Sequence, residues 1–145
     1  CLHRTKRYIR YCMIKKGFTC GAFDLLHSGH IVMLMEAKEN CDYLIVGLQT
    51  DPSLDRKEKN MPIQSMYERY IQLKAVKYVD EILPYDTESS LLDLLEATQI
   101  DIRFVGEDYK NKKFTGHGLH KTHFTSRNHS FSTTSLRERI ESAKK

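Results

Sequence analysis

The chain has 145 residues, 23 Lys and Arg against 19 Asp and Glu, and 40% hydrophobic content, the size and make-up of one domain with a single core. No apolar run approaches the roughly 18 residues of a membrane span, and no apolar stretch succeeds the basic N-terminus as a secretory signal requires. The net charge of +4 is local: Arg4, Lys6, Arg7 and Arg10 carry it, and removing them leaves 19 basic and 19 acidic residues, a balance that argues against a nucleic-acid track.

Met13 stands just ahead of the first apolar segment. Residues 1–12 are therefore expected to be an extension ahead of a domain at 13–145, either upstream sequence or a basic surface arm. Cys1, Cys12, Cys20 and Cys41 form no C-x-x-C pair. Isolated thiols without an export signal point to a reducing, cytoplasmic compartment.

Short apolar runs alternate with amphipathic stretches, the pattern of βαβ units. A first strand is expected over 17–20, reaching back toward Ile14, then a turn at 21–24 and a helix over 29–40. Residues 43–48 are almost continuously apolar, as a strand covered on both faces should be. A charged loop at 55–60 leads to Ser65-x-x-Glu68, a capping box that opens a helix to about Lys77. A third strand is expected over 79–83, ended by Pro84. Ser89 or Ser90 caps the next helix, which turns Leu91, Leu94 and Leu95 inward. Residues 102–106 form the fourth strand, 107–121 a long polar loop, and 123–126 a weakly marked fifth strand. Ser135-x-x-Glu138 caps a last helix over 136–143. Five strands with helical crossovers imply a parallel sheet with helices on both faces, an α/β single domain. In such sheets ligands sit at the carboxyl ends of the strands, where the crossover direction reverses.

The first strand runs directly into Gly21-Ala22-Phe23-Asp24-Leu25-Leu26-His27-Ser28-Gly29-His30, and that string opens a helix. A helix N-terminus offers unpaired N–H groups and partial positive charge, which suits phosphate. Gly21 lets backbone approach a ligand, and Gly29 removes a side chain between two imidazoles. His27 and His30, three apart, can then face one anion together. The plainer alternative makes Asp24 a cap and the histidines surface residues. Near the C-terminus, Arg127-Asn128-His129-Ser130-Phe131-Ser132-Thr133-Thr134 places a run of hydroxyls at a helix start, a second phosphate cradle compatible with simple N-capping.

The first string resembles the H-x-G-H signature of the cytidylyltransferase-like nucleotidyltransferases, and the second resembles their R-T-E-G-I-S-T-T, with Arg127, Ser132, Thr133 and Thr134 in register. From Met13 to Ile140 the chain is similar to the glycerol-3-phosphate cytidylyltransferase branch. The resemblance implies a Rossmann-like fold, a homodimer, and motif histidines on the nucleotide phosphates. It places a nucleotide-site arginine on Arg69 and phosphate-binding lysines on Lys57 and Lys59. Gly106-Glu-Asp108-Tyr109 parallels the family's G-x-D-W/Y, whose aspartate helps form the nucleotide pocket. The nucleotide site so implied takes in Cys20, Gly21, Ala22, Phe23, Asp24, Gly29, Arg69, Gly106, Asp108, Asn128, Ser132, Thr133 and Thr134.

The implied reaction is attack by a substrate phosphate on the α-phosphorus of a nucleoside triphosphate, with release of pyrophosphate. A phosphate monoester has its second pKa near 6, so the nucleophile is already largely ionised at neutral pH. His27 and His30 then act as donors to the α-phosphate oxygens. Lys57 or Lys59 draws the phosphates together, and Ser132 and Thr133 hold the β- and γ-phosphates. Arg127 bridges phosphate groups, while Asp108 and Arg69 fix base or ribose. Mg²⁺ comes with the triphosphate.

CTP is favoured over ATP through Arg127, with a phosphorylated small molecule as acceptor. Three positions depart from the glycerol phosphate branch: Ala22, Ser28, and the run Asn128-His129-Ser130. Gly106-Glu-Asp-Tyr-Lys110 also resembles the adenylyltransferases that activate heptose phosphates, and archaeal-type FAD synthetases share the signature, so adenylyl transfer to a sugar phosphate or FMN stays open. A nucleotide-binding protein without turnover is the reading of another class. His117, His120 and His123, with His129, match no zinc spacing, and the segment reads instead as a loop over the substrate.

Overall fold

The computed structural model describes residues 14–143; the basic segment 1–12 and Met13 lie outside the described residues. The apolar runs pair as five parallel strands, β1 (Lys16–Gly21), β2 (Tyr43–Gln49), β3 (Glu81–Tyr85), β4 (Ile102–Gly106) and β5 (Lys121–Thr125), in the order β3-β2-β1-β4-β5. The chain winds outward from β1 to β3, then returns to the other side of β1 for β4 and β5. The switch point therefore lies between the carboxyl ends of β1 and β4.

Three helices connect the strands, α1 (Ser28–Glu39), α2 (Met66–Lys74) and α3 (Glu88–Ala97), and α4 (Thr133–Ser142) follows β5. The alternation of β2 decides the layers, because successive side chains point to opposite faces. Leu44, Val46 and Leu48 pack with Leu34 and Ala37 of α1 and Leu73 of α2. Ile45 joins Phe18, Tyr85, and Leu91 and Leu95 of α3 on the other face. Helices on both faces of a five-stranded parallel sheet are as the sequence implies. Among the described residues no helix is long and apolar enough to cross a membrane.

Several boundaries differ from expectation, each for a local reason. β3 runs two residues later and contains Pro84, which pairs with Leu48. As an edge strand, β3 tolerates a residue that cannot donate outward. Thr87, not Ser89 or Ser90, caps α3: its hydroxyl accepts from Ser90 N at 3.2 Å, and Ser90 Oγ accepts in return from Thr87 N at 2.9 Å. α4 opens at Thr133 because Ser132 is its cap, accepting from Ser135 N at 3.0 Å. A row of hydroxyls offers several caps, and the end of the preceding strand selects among them.

Arg69 departs furthest. Its guanidinium is buried and donates to four carbonyls, Gln64 O at 3.1 Å, Ala22 O at 2.9 Å, and Gln49 O and Thr50 O at 2.5 Å. Three of these oxygens lie at the carboxyl ends of β1 and β2 and the fourth just ahead of α2, and buried carbonyls must find donors. The expected base or ribose contact is thereby corrected: Arg69 is a clamp under the site. Replacing it with methionine strips several buried acceptors at once and is expected to destabilise the fold by about 3 kcal/mol or more. Urea denaturation of Arg69→Met checks this, and a loss below about 1 kcal/mol contradicts the clamp.

Candidate active site

The turn after β1 is under tension. Phe23 and Leu25 both adopt left-handed backbone, at φ 50° and 49°, a conformation that bulky side chains resist. It is held from outside. Asp24 accepts from Ile63 N and Gln64 N at 2.9 Å each, and Gln64 Oε1 accepts from Leu25 N at 2.8 Å. Arg137 of α4 reaches Asp24 at 3.4 Å. Phe23 is buried in the core beneath His30, with ring centroids 5.2 Å apart. Asp24 and Phe23 thus fix the turn and do not face the cleft; Asp24 is no helix cap either.

The cap of α1 is His27. Its Nδ1 accepts from Gly29 N at 3.0 Å, and His30 Nδ1 accepts from His27 N at 3.2 Å. Together they form a capping box built from two imidazoles. With each Nδ1 engaged as an acceptor, each ring carries its proton on Nε2. The rings stack at 3.9 Å between centroids. Burial, with His27 beside it, pulls the His30 pKa down to about 4. Burial also lowers that of His27, helped by His129 and Arg127. Two neutral Nε2–H donors therefore stand at a helix N-terminus at neutral pH. Gly29 makes room on another side than expected: a Cβ there would sit 2.8 Å from His27 Cε1 and 3.1 Å from His129 Cε1.

These donors open on a cleft of about 760 Å³ along the carboxyl ends of β1, β4 and β5. Cys20, Gly21, Ala22, Gly29, Gly106, Asp108, Arg127, Ser132 and Thr133 line it with the two histidines, as does Lys59. Lys57, Asn128 and Thr134, with Phe23, Asp24 and Arg69, are not brought to it. Arg127 Nη1 pairs with Asp108 at 3.3 Å, both half-exposed at the mouth. A Cβ on Gly106 would lie 2.6 Å from Asp108 Oδ1, so only glycine lets that carboxylate fold back. His117 packs on Phe114, His123 meets Glu36 at 3.3 Å, and His129 stacks on Phe131. Among the described residues no group of His, Cys, Asp and Glu side chains is placed to hold a metal.

The cleft has a second lobe on the α3 side of the sheet. Arg103 of β4 is buried, donates to Thr115 O, and lies over the Phe114 ring at 5.0 Å. Glu88, the first residue of α3, accepts from Thr115 Oγ1 at 2.6 Å and pairs with Arg56 at 3.0 Å. Burial pushes up the pKa of Cys20, against the pull of the Arg103 charge, and burial with Cys20 pushes up that of Tyr85. Sequence reasoning misses this lobe. Its one signal is Arg103, a charge inside the otherwise apolar run of β4.

The capping geometry has a pH signature. His30 titrates near 4 when folded and near 6.5 when free, so between those values the unfolded chain binds more protons. Stability then falls as pH drops from 6.5 toward 4 and is level above that window; His27 shifts in the same direction. Urea unfolding at pH 7 and 5 should show a smaller acid loss in His30→Gln than in the parent. An equal loss in both would contradict the neutral, buried imidazole.

Residues 18–139 match the cytidylyltransferase-like family. The chain is 40% identical over 104 residues to the bifunctional protein HldE of Caulobacter vibrioides, covering 71% of this chain and 21% of that protein. Against the bifunctional protein HldE of Campylobacter jejuni it is 37% identical over 129 residues, 88% of this chain and 28% of the relative. The chain thus spans between a fifth and a third of the curated relatives it matches. Among solved structures, the lipopolysaccharide core biosynthesis protein of Thermoplasma volcanium superposes with a TM-score of 0.58 at 22% identity, over 89% of this chain and 88% of that one. A bifunctional NMN adenylyltransferase/ADP ribose pyrophosphatase of Francisella tularensis gives 0.63 at 17% identity, over 91% and 43%. At these identities the structural likeness is one of fold. Matched over most of its length and carrying both signature strings at one cleft, the chain belongs to the cytidylyltransferase-like family of nucleotidyltransferases.

Proposed function

We propose that the protein transfers AMP from ATP to the phosphate of a phosphorylated sugar, releasing pyrophosphate. The observation that carries nucleotidyl transfer is the pair of Nε2–H donors that the His27/His30 cap aims into the cleft. An acceptor phosphate oxygen attacks the α-phosphorus, the bond to the β-phosphate oxygen breaks, and pyrophosphate leaves. The acceptor is already ionised, and both Nδ1 atoms are occupied, so the imidazoles serve as donors. They stabilise the oxygens on which charge gathers at the α-phosphorus. Lys59 draws the leaving pyrophosphate, and Ser132 and Thr133 at the start of α4 receive the β- and γ-phosphates. Arg127, held by Asp108, closes the mouth over them.

Mg²⁺ belongs to this reading as a partner of the triphosphate, whose own oxygens supply its ligands. The cleft carboxylates fit that division. Asp108 and Glu88 are each paired with an arginine, so neither forms a resident metal site.

ATP is preferred to CTP because the HldE relatives share 37–40% of their matched residues with this chain. The segment Gly106-Glu-Asp-Tyr-Lys110 is also the one resembling heptose phosphate adenylyltransferases. The expectation of CTP finds no support among these relatives. It keeps one observation in its favour, Arg127 with Ser132, Thr133 and Thr134 in the cytidylyltransferase register.

Pyrophosphate release from ATP and CTP against a panel of sugar phosphates, glycerol 3-phosphate and FMN tests the assignment. ATP with a sugar phosphate should give the highest turnover. Faster release from CTP with glycerol 3-phosphate would move the protein to CMP transfer. His27→Ala and His30→Ala should each lower kcat by about 10²–10³-fold, and near-normal turnover in either contradicts the donor role. ATP with Mg²⁺ should raise the melting temperature more than CTP does. No shift with either nucleotide would favour a protein without turnover.

A further inference from the structure

Resting on the nucleotidyl-transfer reading, the geometry points to the class of acceptor: we infer that the second lobe takes a carboxylate, and that Arg103 is the residue that selects it. The acceptor is then a phosphorylated sugar acid, with its phosphate toward His27 and His30 and its carboxylate toward β4.

Arg103 is a charge without a counter-charge. It is 4% exposed, on an inner strand where a guanidinium is expensive to hold without a partner. It makes no ion pair among the described residues. Its Nη1 is taken by the Thr115 carbonyl, its face lies over Phe114, the neutral Cys20 thiol lies within hydrogen-bond reach of it, and its Nε is shielded without any hydrogen-bond partner. Arg56, in the same lobe, also has a shielded Nε without a partner. The third such atom among the described residues is Nδ1 of His120, a ring whose pKa is lowered by burial and by the Arg103 charge. Arg103 and Arg56 both line the cleft while His120 stands behind Arg103, so the charge left unpaired on Arg103 faces the space where a ligand sits.

The other charges facing the lobe fix the sign and the size. Glu88 is spent, with Oε1 on Arg56 and Oε2 on Thr115 Oγ1. Arg56 and Glu88 cancel, His120 is held neutral, and Tyr85 and Cys20 stay protonated. Lys113 stands at the exposed rim, where solvent screens it. One buried positive charge remains, and one carboxylate balances it where a phosphate dianion would overshoot. A guanidinium also suits a carboxylate by shape, through two parallel N–H···O bonds. The lobe is continuous with the histidine lobe, so both ends of one small molecule are reached from a single cleft.

The test uses two matched pairs of acceptors, glucuronic acid 1-phosphate against glucose 1-phosphate, and 3-phosphoglycerate against glycerol 3-phosphate. Binding is read by saturation-transfer NMR in the presence of a non-hydrolysable ATP analogue with Mg²⁺, and turnover by pyrophosphate release. The expected result is at least a tenfold preference for the acid member of a pair in the parent protein. Arg103→Met should erase that preference through KM, leaving the ATP-induced melting shift intact, and Arg103→Lys should retain part of it. Should Arg103→Met fail to fold, Arg103→Lys decides, since a charge without the planar fork must weaken the preference. Equal binding of both members, no binding of any, or a preference that survives these substitutions overturns the proposal. Failure of nucleotidyl transfer itself would show differently, as no pyrophosphate release from any acceptor while the binding preference remains to be read.

Discussion

A parallel sheet leaves a problem where its strands stop. At the carboxyl ends of β1 and β2, backbone oxygens outrun the ladder just where the chain must turn sharply and present a ligand site. Arg69 meets that demand from α2, gathering carbonyls from the β1 turn, the β2 end and the segment ahead of its own helix. Asp24 does the complementary work, accepting the N–H groups of Ile63 and Gln64. Between them a cation satisfies oxygens and an anion satisfies nitrogens. The left-handed turn at Phe23 and Leu25 is over-determined as a result. The position of His27 and His30 depends on that turn.

The same constraint separates the parts of the molecule that are legible in the sequence from those that are not. Leu44, Val46 and Leu48 alternate with Ile45, and such patterns announce strands whatever the tertiary context. The H-x-G-H string announces its cleft because a glycine and two imidazoles at a helix start have few other uses. Arg69 misleads because its type suits either phosphate or carbonyl oxygens, and only the path of β2 decides between them. Lys57 and Lys59 lie on the same charged loop, two residues apart, and only Lys59 meets the cleft, a choice set by the path of the loop that no periodicity reveals. The second lobe is hidden for a similar reason. Tyr85 and Glu88 at the β3–α3 junction meet Thr115 from the β4–β5 connection and Arg56 from the loop after β2, so their meeting is a property of the topology.

The two lobes divide the cleft by the two faces of the sheet. Thr19 bonds Met33 of α1 on the histidine side, while Cys20, its neighbour along the strand, looks toward Arg103 and Tyr85. One residue step along β1 thus separates the histidine lobe from the Arg103 lobe, and in the proposed reaction the phosphates meet at the carboxyl end of β1 between them. A fold of this kind can keep the chemistry of one lobe while the α3 face changes, because the two lobes draw on opposite faces of the sheet.

The His27/His30 cap has a further consequence. Most enzymes hold reactive groups in place at some expense to the fold, so that blunting the site firms up the scaffold. Here the same two ring nitrogens that orient the donors also tie the first turn of α1. Losing either imidazole loosens the helix as well as the chemistry, and selection for folding alone already resists the loss. A lineage released from its catalytic duty would therefore keep the motif longer than need requires, or lose it only by first recruiting a serine or aspartate to the same cap.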